Sequence, residues 1–135
     1  MAISIKELKG MTKDLAAKLN ELGIGNSDKL LEAAATPKQR RELAKKTGVK
    51  ERDILELANR ADLSRIKGVA GVFSDLLEKA GVDTVKELAQ RRPDNLHAKI
   101  REVNEKEGLA KRIPTPADVE NWVAQAKKLD KVLSY

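Results

Sequence analysis

Apolar residues recur at intervals of three and four along most of this chain, which is the spacing of one face of an α-helix. The pattern is clear in "KDLAAKLNEL", from Lys13 to Leu22, and again in "VENWVAQAKKL", from Val119 to Leu129. No segment alternates apolar and polar residues with period two, so no strand is predicted. We therefore expect an all-α fold.

Several helix starts are marked by capping signals. Thr36 precedes Pro37 and stands three residues before Gln39, as a capping box requires, and Thr115 precedes Pro116 and stands three residues before Asp118. Ser27 is expected to cap a short helix in the same way. These signals predict helices beginning at about residues 27, 37 and 116.

Two stretches of the chain resemble each other. They are "IKELKGMTKDLAAKLNELGI", starting at Ile5, and "LSRIKGVAGVFSDLLEKAGV", starting at Leu63. Gly10 aligns with Gly68 and Gly23 aligns with Gly81, and both pairs lie 58 residues apart. A duplicated unit is the simplest interpretation.

The glycines of the second stretch predict a turn between two helices. Glycine costs about 1 kcal/mol in a helix interior, so Gly68 is better explained by a turn conformation that costs other residues energy. The apolar Val69 is expected to plug this turn into the core. Gly71 is assigned to the first turn of the next helix, and Gly81 to the end of that helix.

Composition narrows the range of functions. The chain has 27 basic and 21 acidic residues and a net charge of +6, which permits binding to nucleic acid without requiring it. It has no cysteine and a single histidine, His97, which is a poor start for a zinc site or a nucleophile with its base. No phosphate-binding glycine loop of an NTPase or dinucleotide enzyme is present. We expect no enzymatic activity, no metal and no cofactor.

The chain shows no targeting or membrane signal. No run of about 18 apolar residues exists, and the first ten residues lack the apolar segment of a secretory signal. We expect a cytoplasmic protein without a membrane partner. The residues after Leu129 are expected to fray.

The turn sequences resemble the helix-hairpin-helix motif, whose pattern is apolar, any residue, Gly, apolar, Gly, then a helix. The copy from Ile66 to Leu77 follows it with Ala70 at the second glycine place, and the copy from Leu8 to Leu19 has Thr12 there. Two copies in one chain resemble the tandem arrangement of this motif. The stretches "ADLSRIKGVAG", "LLEKAGVDTVKELAQRRPDNL" and "VENWVAQAK" also resemble a family of uncharacterised bacterial helical proteins, with no assigned activity.

The resemblance implies binding to the backbone of double-stranded DNA without reading of the sequence. In such motifs, hairpin amides and the following helix N-terminus point at a phosphate. The residues implied are Lys9, Gly10, Met11, Thr12 and Lys13 in the first copy, and Lys67, Gly68, Val69, Ala70 and Gly71 in the second, with Arg65 as a neighbouring cation. Hairpins of this type also contact other proteins or only pack helices, so a protein partner and a structural role stay open.

The most basic segment gives a second candidate surface. Lys38, Arg41 and Lys45 share a helix face at i, i+3 and i+7, and Arg40 and Lys46 flank them. We call these five residues the basic ridge. A solvated helix face is the alternative to a phosphate-binding role.

These observations predict one compact helical domain over residues 1–135. It would comprise hairpin unit one (about 4–35), linking helices (about 36–61), hairpin unit two (about 62–91) and a C-terminal helical pair (about 93–132). The predicted function is weak, sequence-independent DNA binding, and the alternative is a protein-interaction adaptor. The oligomeric state does not follow from the sequence.

Overall fold

The computed structural model describes residues 2–69 and 71–135. These residues form eight α-helices and one short 3-10 helix at Ile5–Glu7, and no strand. The α-helices are α1 Lys13–Glu21, α2 Ser27–Ala33, α3 Pro37–Thr47, α4 Glu51–Leu63, α5 Val72–Lys79, α6 Val85–Ala89, α7 Pro93–Glu107 and α8 Pro116–Lys128. An isolated antiparallel bridge joins Ser4 to Asn26. The predicted all-α class is confirmed for the described residues.

The capping signals place most helix starts correctly. Both predicted capping boxes form, because the Thr36 and Thr115 hydroxyls accept from the amides of Gln39 and Asp118, whose side chains accept from the threonine amides. The prediction for Ser27 was wrong. Asn26 caps α2 instead, and the buried Ser27 hydroxyl accepts from the Ile3 amide at 3.0 Å. A serine next to an asparagine gives two candidate caps, and the long-range contact of Ser27 decides between them.

The chain divides into two compact units. Unit 1 comprises Met1–Ser64 together with Val132–Tyr135, and unit 2 comprises Arg65–Lys131. Unit 2 is thus inserted in the chain of unit 1. In unit 1, α4 packs against α2 and α3.

The C-terminal segment Val132–Tyr135 belongs to the core region of unit 1. Leu133 is 3% exposed and lies in the same apolar cluster as Leu19 and Ile54. The Ser134 amide donates to the Ala35 carbonyl at 2.8 Å. The expectation that this segment frays was wrong, because an apolar side chain and backbone hydrogen bonds hold it against distant parts of the sequence.

In unit 2, α8 packs against α6 and α7. Its core contains Leu76, Leu96 and Ile100, all fully buried, and Trp122 at 3% exposure. The centroids of the Trp122 ring and the half-buried Phe73 ring are 5.6 Å apart, and the two ring planes make an angle of 51°. The prediction that Trp122 is a core residue is confirmed. Its indole Nε1 lies close to Gly68, the glycine of the predicted turn after α4.

Candidate nucleic-acid interface

The first predicted turn joins the 3-10 helix to α1. Gly10 has a φ of +90°, and the Met11 amide donates to the Leu8 carbonyl at 3.2 Å. Helix α1 then begins at Lys13, and the Thr12 hydroxyl accepts from the Leu15 amide at 3.1 Å. One of the amides at the start of α1 therefore already has a side-chain partner.

The second predicted turn follows α4. Gly68 has a φ of +95°, and the Val69 amide donates to the Ile66 carbonyl at 3.1 Å. Val69 is 1% exposed, which confirms that it plugs the turn. Ala70, one of the residues implied by the helix-hairpin-helix resemblance, lies outside the described residues.

The position of Gly71 differs from the prediction. It is the N-cap of α5 rather than a residue of the first helical turn, with φ +56° and ψ −124°. Helix α5 has no side-chain hydrogen bond at this cap, in contrast to the threonine cap of α1. The start of α5 is thus built without a capping side chain.

The backbone repeats its hydrogen bonds at the 58-residue spacing. The hydrogen bond donated by the Met11 amide in the first turn corresponds to the one donated by the Val69 amide in the second. The Ile24 amide donates to the Leu19 carbonyl at 2.8 Å, and the Val82 amide donates to the Leu77 carbonyl at the same distance, 2.8 Å. Gly23 and Gly81 have φ values of +81° and +94°. Equivalent glycines therefore adopt equivalent conformations in the two stretches.

Helix α8 holds the second turn through a side-chain amide. The Lys67 amide donates to Gln125 Oε1 at 2.8 Å, and Gln125 Nε2 donates to the Lys67 carbonyl at 3.1 Å. A Cβ on Gly68 would lie 3.2 Å from Trp122 Nε1. The amides of Lys67 and Val69 are therefore already engaged within unit 2. Gln125 was not among the predicted site residues, although it follows Trp122 by three residues on the same helix face.

The predicted site residues differ in exposure. Lys67, Gly68 and Gly71 of the second turn are exposed, and Arg65 is half-buried with its Nη2 donating to the Asp130 carbonyl at 2.8 Å. In the first turn, the exposed residues are Lys9, Gly10, Thr12 and Lys13, and Met11 is half-buried.

Acidic residues lie close to the first turn. Lys9 and Gly10 line a small cavity of about 120 Å³ together with Asp53 and Glu56 of α4. Asp14 adds a carboxylate in the first turn of α1. These carboxylates oppose the approach of an anion to the two lysines of the first turn, and Asp75 in the first turn of α5 has the same effect at the second turn.

The basic ridge loses one member in the structure. Lys38, Arg41, Lys45 and Lys46 are exposed on α3.

Arg40 is 3% exposed, so the prediction that it flanks an exposed ridge needs correction. Its guanidinium donates to the carbonyls of Ala34 at 2.8 Å and Ser134 at 2.6 Å, and lies over the Tyr135 ring. Burial lowers the pKa of Arg40, and Tyr135 and Glu51 oppose that shift. Arg40 therefore holds the C-terminal segment in place.

A family model described as "Domain of unknown function (DUF4332)" matches residues 9–129. The chain belongs to the DUF4332 family. This agrees with the expected resemblance to an uncharacterised family. No curated protein and no solved structure gives a significant match.

Residues 2–69 and 71–135 contain no group of three or more His, Asp or Glu side chains that could hold a metal ion. His97 Nε2 lies 3.0 Å from the Pro114 carbonyl oxygen, so the ring donates to the loop that precedes α8. Over the same described ranges, every helix is too short or too polar to cross a membrane.

Proposed function

We propose that this chain is a non-enzymatic, cytoplasmic module that binds the backbone of double-stranded DNA weakly and without reading the sequence. The second turn, with Lys67, Gly68 and Gly71, is the main contact. The observation that carries this proposal is the start of α5, an eight-residue helix whose cap is an exposed glycine with no capping side chain. A helix N-terminus favours a phosphate, because N–H groups of its first turn lack intrahelical partners and its dipole is positive there.

Lys67 supports the same assignment. It is exposed and precedes Gly68, so its ammonium group can add a charge contact to a phosphate held at the helix start. Its backbone is fixed by Gln125, which restrains the conformation of the turn before any ligand arrives. A preorganised turn loses less conformational entropy on binding.

The two stretches are interpreted as two helix-hairpin-helix units produced by an internal duplication. Their matched glycine conformations and turn hydrogen bonds support this interpretation. The first unit has a lesser role in DNA binding, because Thr12 caps α1 and Asp53 and Glu56 lie near Lys9. The exposed cations of the basic ridge, Lys38, Arg41, Lys45 and Lys46, are a secondary contact.

A protein-interaction adaptor is the second candidate. One observation favours it: a groove of about 590 Å³ runs along α1 beside the first turn. We call it the α1 groove. It is lined by Lys6, Met11, Thr12, Lys13, Ala16, Ala17 and Asn20.

The DNA proposal is tested with Lys67→Glu and a matched control, Lys111→Glu. Both lysines are exposed, both changes replace a positive charge by a negative one, and Lys111 lies in the loop between α7 and α8. Fluorescence anisotropy with labelled duplexes of unrelated sequence would measure affinity at two salt concentrations. We expect Lys67→Glu to weaken binding equally on all duplexes and to reduce the salt slope by about 1, because a phosphate contact carries no sequence information.

The control variant distinguishes the loss of a local phosphate contact from a general effect of net charge on DNA affinity. Equal weakening by Lys67→Glu and Lys111→Glu would indicate a diffuse charge effect and would remove the turn as the site. If binding survived Lys67→Glu, the basic ridge would be the site instead. Absence of wild-type binding at low salt would exclude DNA.

A further inference from the structure

The α1 groove is formed by one face of a helix. Lys13, Ala16, Ala17 and Asn20 follow the spacing i, i+3, i+4 and i+7, which places them on neighbouring turns of the same side of α1. The two alanines between longer side chains leave room for another group. The groove thus has a floor of small residues along the helix axis.

The apolar and polar parts of the groove are separate. Met11, half-buried, and the exposed Ala17 supply apolar surface, and the buried Ala16 lies at the floor between them and the core. Asn20 is held in place, because its Nδ2 donates to the Ala16 carbonyl at 3.0 Å. A ligand in the groove would therefore contact an apolar strip that has the hydrogen-bonded Asn20 side chain at one end.

The charge of the groove has one sign. Lys6 and Lys13 are exposed cations of its lining, and none of the described lining residues is acidic. An anionic partner gains from both lysines, whereas a cationic partner is repelled by them. Charge complementarity therefore selects an acidic ligand.

The openness of the groove decides the class of ligand. Lys6, Thr12, Lys13, Ala17 and Asn20 are all exposed although they line it. Small-molecule sites usually enclose most of the ligand surface, whereas a peptide can lie in an open groove and place only its apolar side chains inside. We propose that the α1 groove binds a short acidic peptide segment that carries apolar anchor side chains.

This proposal specifies the partner of the adaptor candidate and does not depend on DNA binding. The assay therefore contains no DNA. The probe is a dye-labelled peptide, Glu-Leu-Glu-Leu-Glu, titrated with the full chain at low salt and followed by fluorescence anisotropy. Two comparison peptides replace every Glu by Lys or every Leu by Ala.

The variant for the groove is Lys6→Glu with Lys13→Glu. Its matched control is Lys29→Glu with Lys86→Glu, which makes the same charge change at two exposed lysines outside the groove. We expect the groove variant to weaken binding of the acidic peptide by about tenfold or more and the control to change it far less, since only adjacent charges contact the ligand. Ala17→Glu, a good helix former at an exposed position, should also weaken binding by filling the groove and repelling the peptide.

Binding of the comparison peptides tests whether the groove requires acidic and apolar side chains. The Lys peptide should not bind, and the Ala peptide should bind more weakly than the Leu peptide. Absence of binding by the acidic peptide, equal binding of the Lys peptide, or equal loss in the groove variant and its control would each overturn the proposal. Binding of dodecanoate without binding of the peptide would also overturn it, because the groove would then accept a small amphiphile.

Discussion

Gly68 and Gly71 share a positive φ but differ in their surroundings. A Cβ on Gly68 would approach Trp122 Nε1 to 3.2 Å, whereas nothing lies within 4 Å of a Cβ on Gly71. Their φ values are +95° and +56°. Side-chain-bearing residues pay a conformational cost in this region even where space is open.

Both Gly68→Ala and Gly71→Ala should therefore destabilise the protein by at least about 1 kcal/mol. Gly68→Ala should cost more, because Trp122 must also shift. Urea unfolding of the two variants measures the difference. A wild-type midpoint for Gly71→Ala would show that the backbone at this position is not left-handed.

The sequence predicted the turn position of Gly68 correctly and misplaced Gly71. Gly68 follows an apolar residue and a lysine at the end of a helical pattern, so its turn role is a local signal. Gly71 stands directly before "VFSDLLEK", which reads as helix, and a glycine N-cap leaves no capping side chain to mark the boundary. Only the backbone angles place it outside the helix.

At the scale of elements, the start of α8 depends on a carboxylate. Hydrogen bonds from the amide and side chain of Thr115 lower the pKa of Asp118, with a smaller contribution from Arg112. A carboxyl with a lowered pKa in the folded state stabilises the fold above its unfolded pKa, and this contribution disappears as the pH falls through the folded pKa.

Asp118→Asn should therefore be less stable than wild type at neutral pH, and the difference should shrink below about pH 4, where the unfolded carboxyl is protonated. Thermal melts over a pH series measure this. Glu120→Gln removes the same charge from an exposed position of α8 and controls for net charge. A difference between Asp118→Asn and wild type that stays constant with pH would contradict the capping role of the carboxylate.

The C-terminal segment Val132–Tyr135 was expected to fray, but it packs against the core of unit 1. Leu133→Ala should lower the free energy of unfolding by about 2–5 kcal/mol, because it leaves a cavity in the core of unit 1. Val132→Ala is the control, since Val132 is 38% exposed and should change stability little. Chemical denaturation of both variants tests the contrast, and equal small effects would show that the segment is peripheral.

Sequence distance explains which contacts were predictable. The capping boxes of α3 and α8 join residues three positions apart, so their signals stand together in the chain. The hydrogen bonds of Arg40 with Ser134 and of Lys67 with Gln125 span 94 and 58 residues. Arginine is ordinarily exposed, and a basic run gives no sign that one member is buried under a distant segment.

In the whole molecule, the two units have different proposed roles. Unit 2 contains the proposed DNA contact at the start of α5, and unit 1 contains the α1 groove. The net charge of +6 adds a general attraction to nucleic acid. A measurement on the whole chain must therefore separate counterion release at defined phosphates from this general attraction.

The salt dependence of DNA affinity on two unrelated duplexes tests backbone binding by the turns. If one turn contacts about two phosphates, the slope of log affinity against log salt should be about −1.8, and about −3.6 if both turns bind. We expect a slope in this range, equal affinities for the two duplexes, and dissociation constants of about 10⁻⁴–10⁻⁶ M at physiological salt. Affinity that is independent of salt, a strong preference for one duplex, or no binding at low salt would contradict backbone binding by the turns.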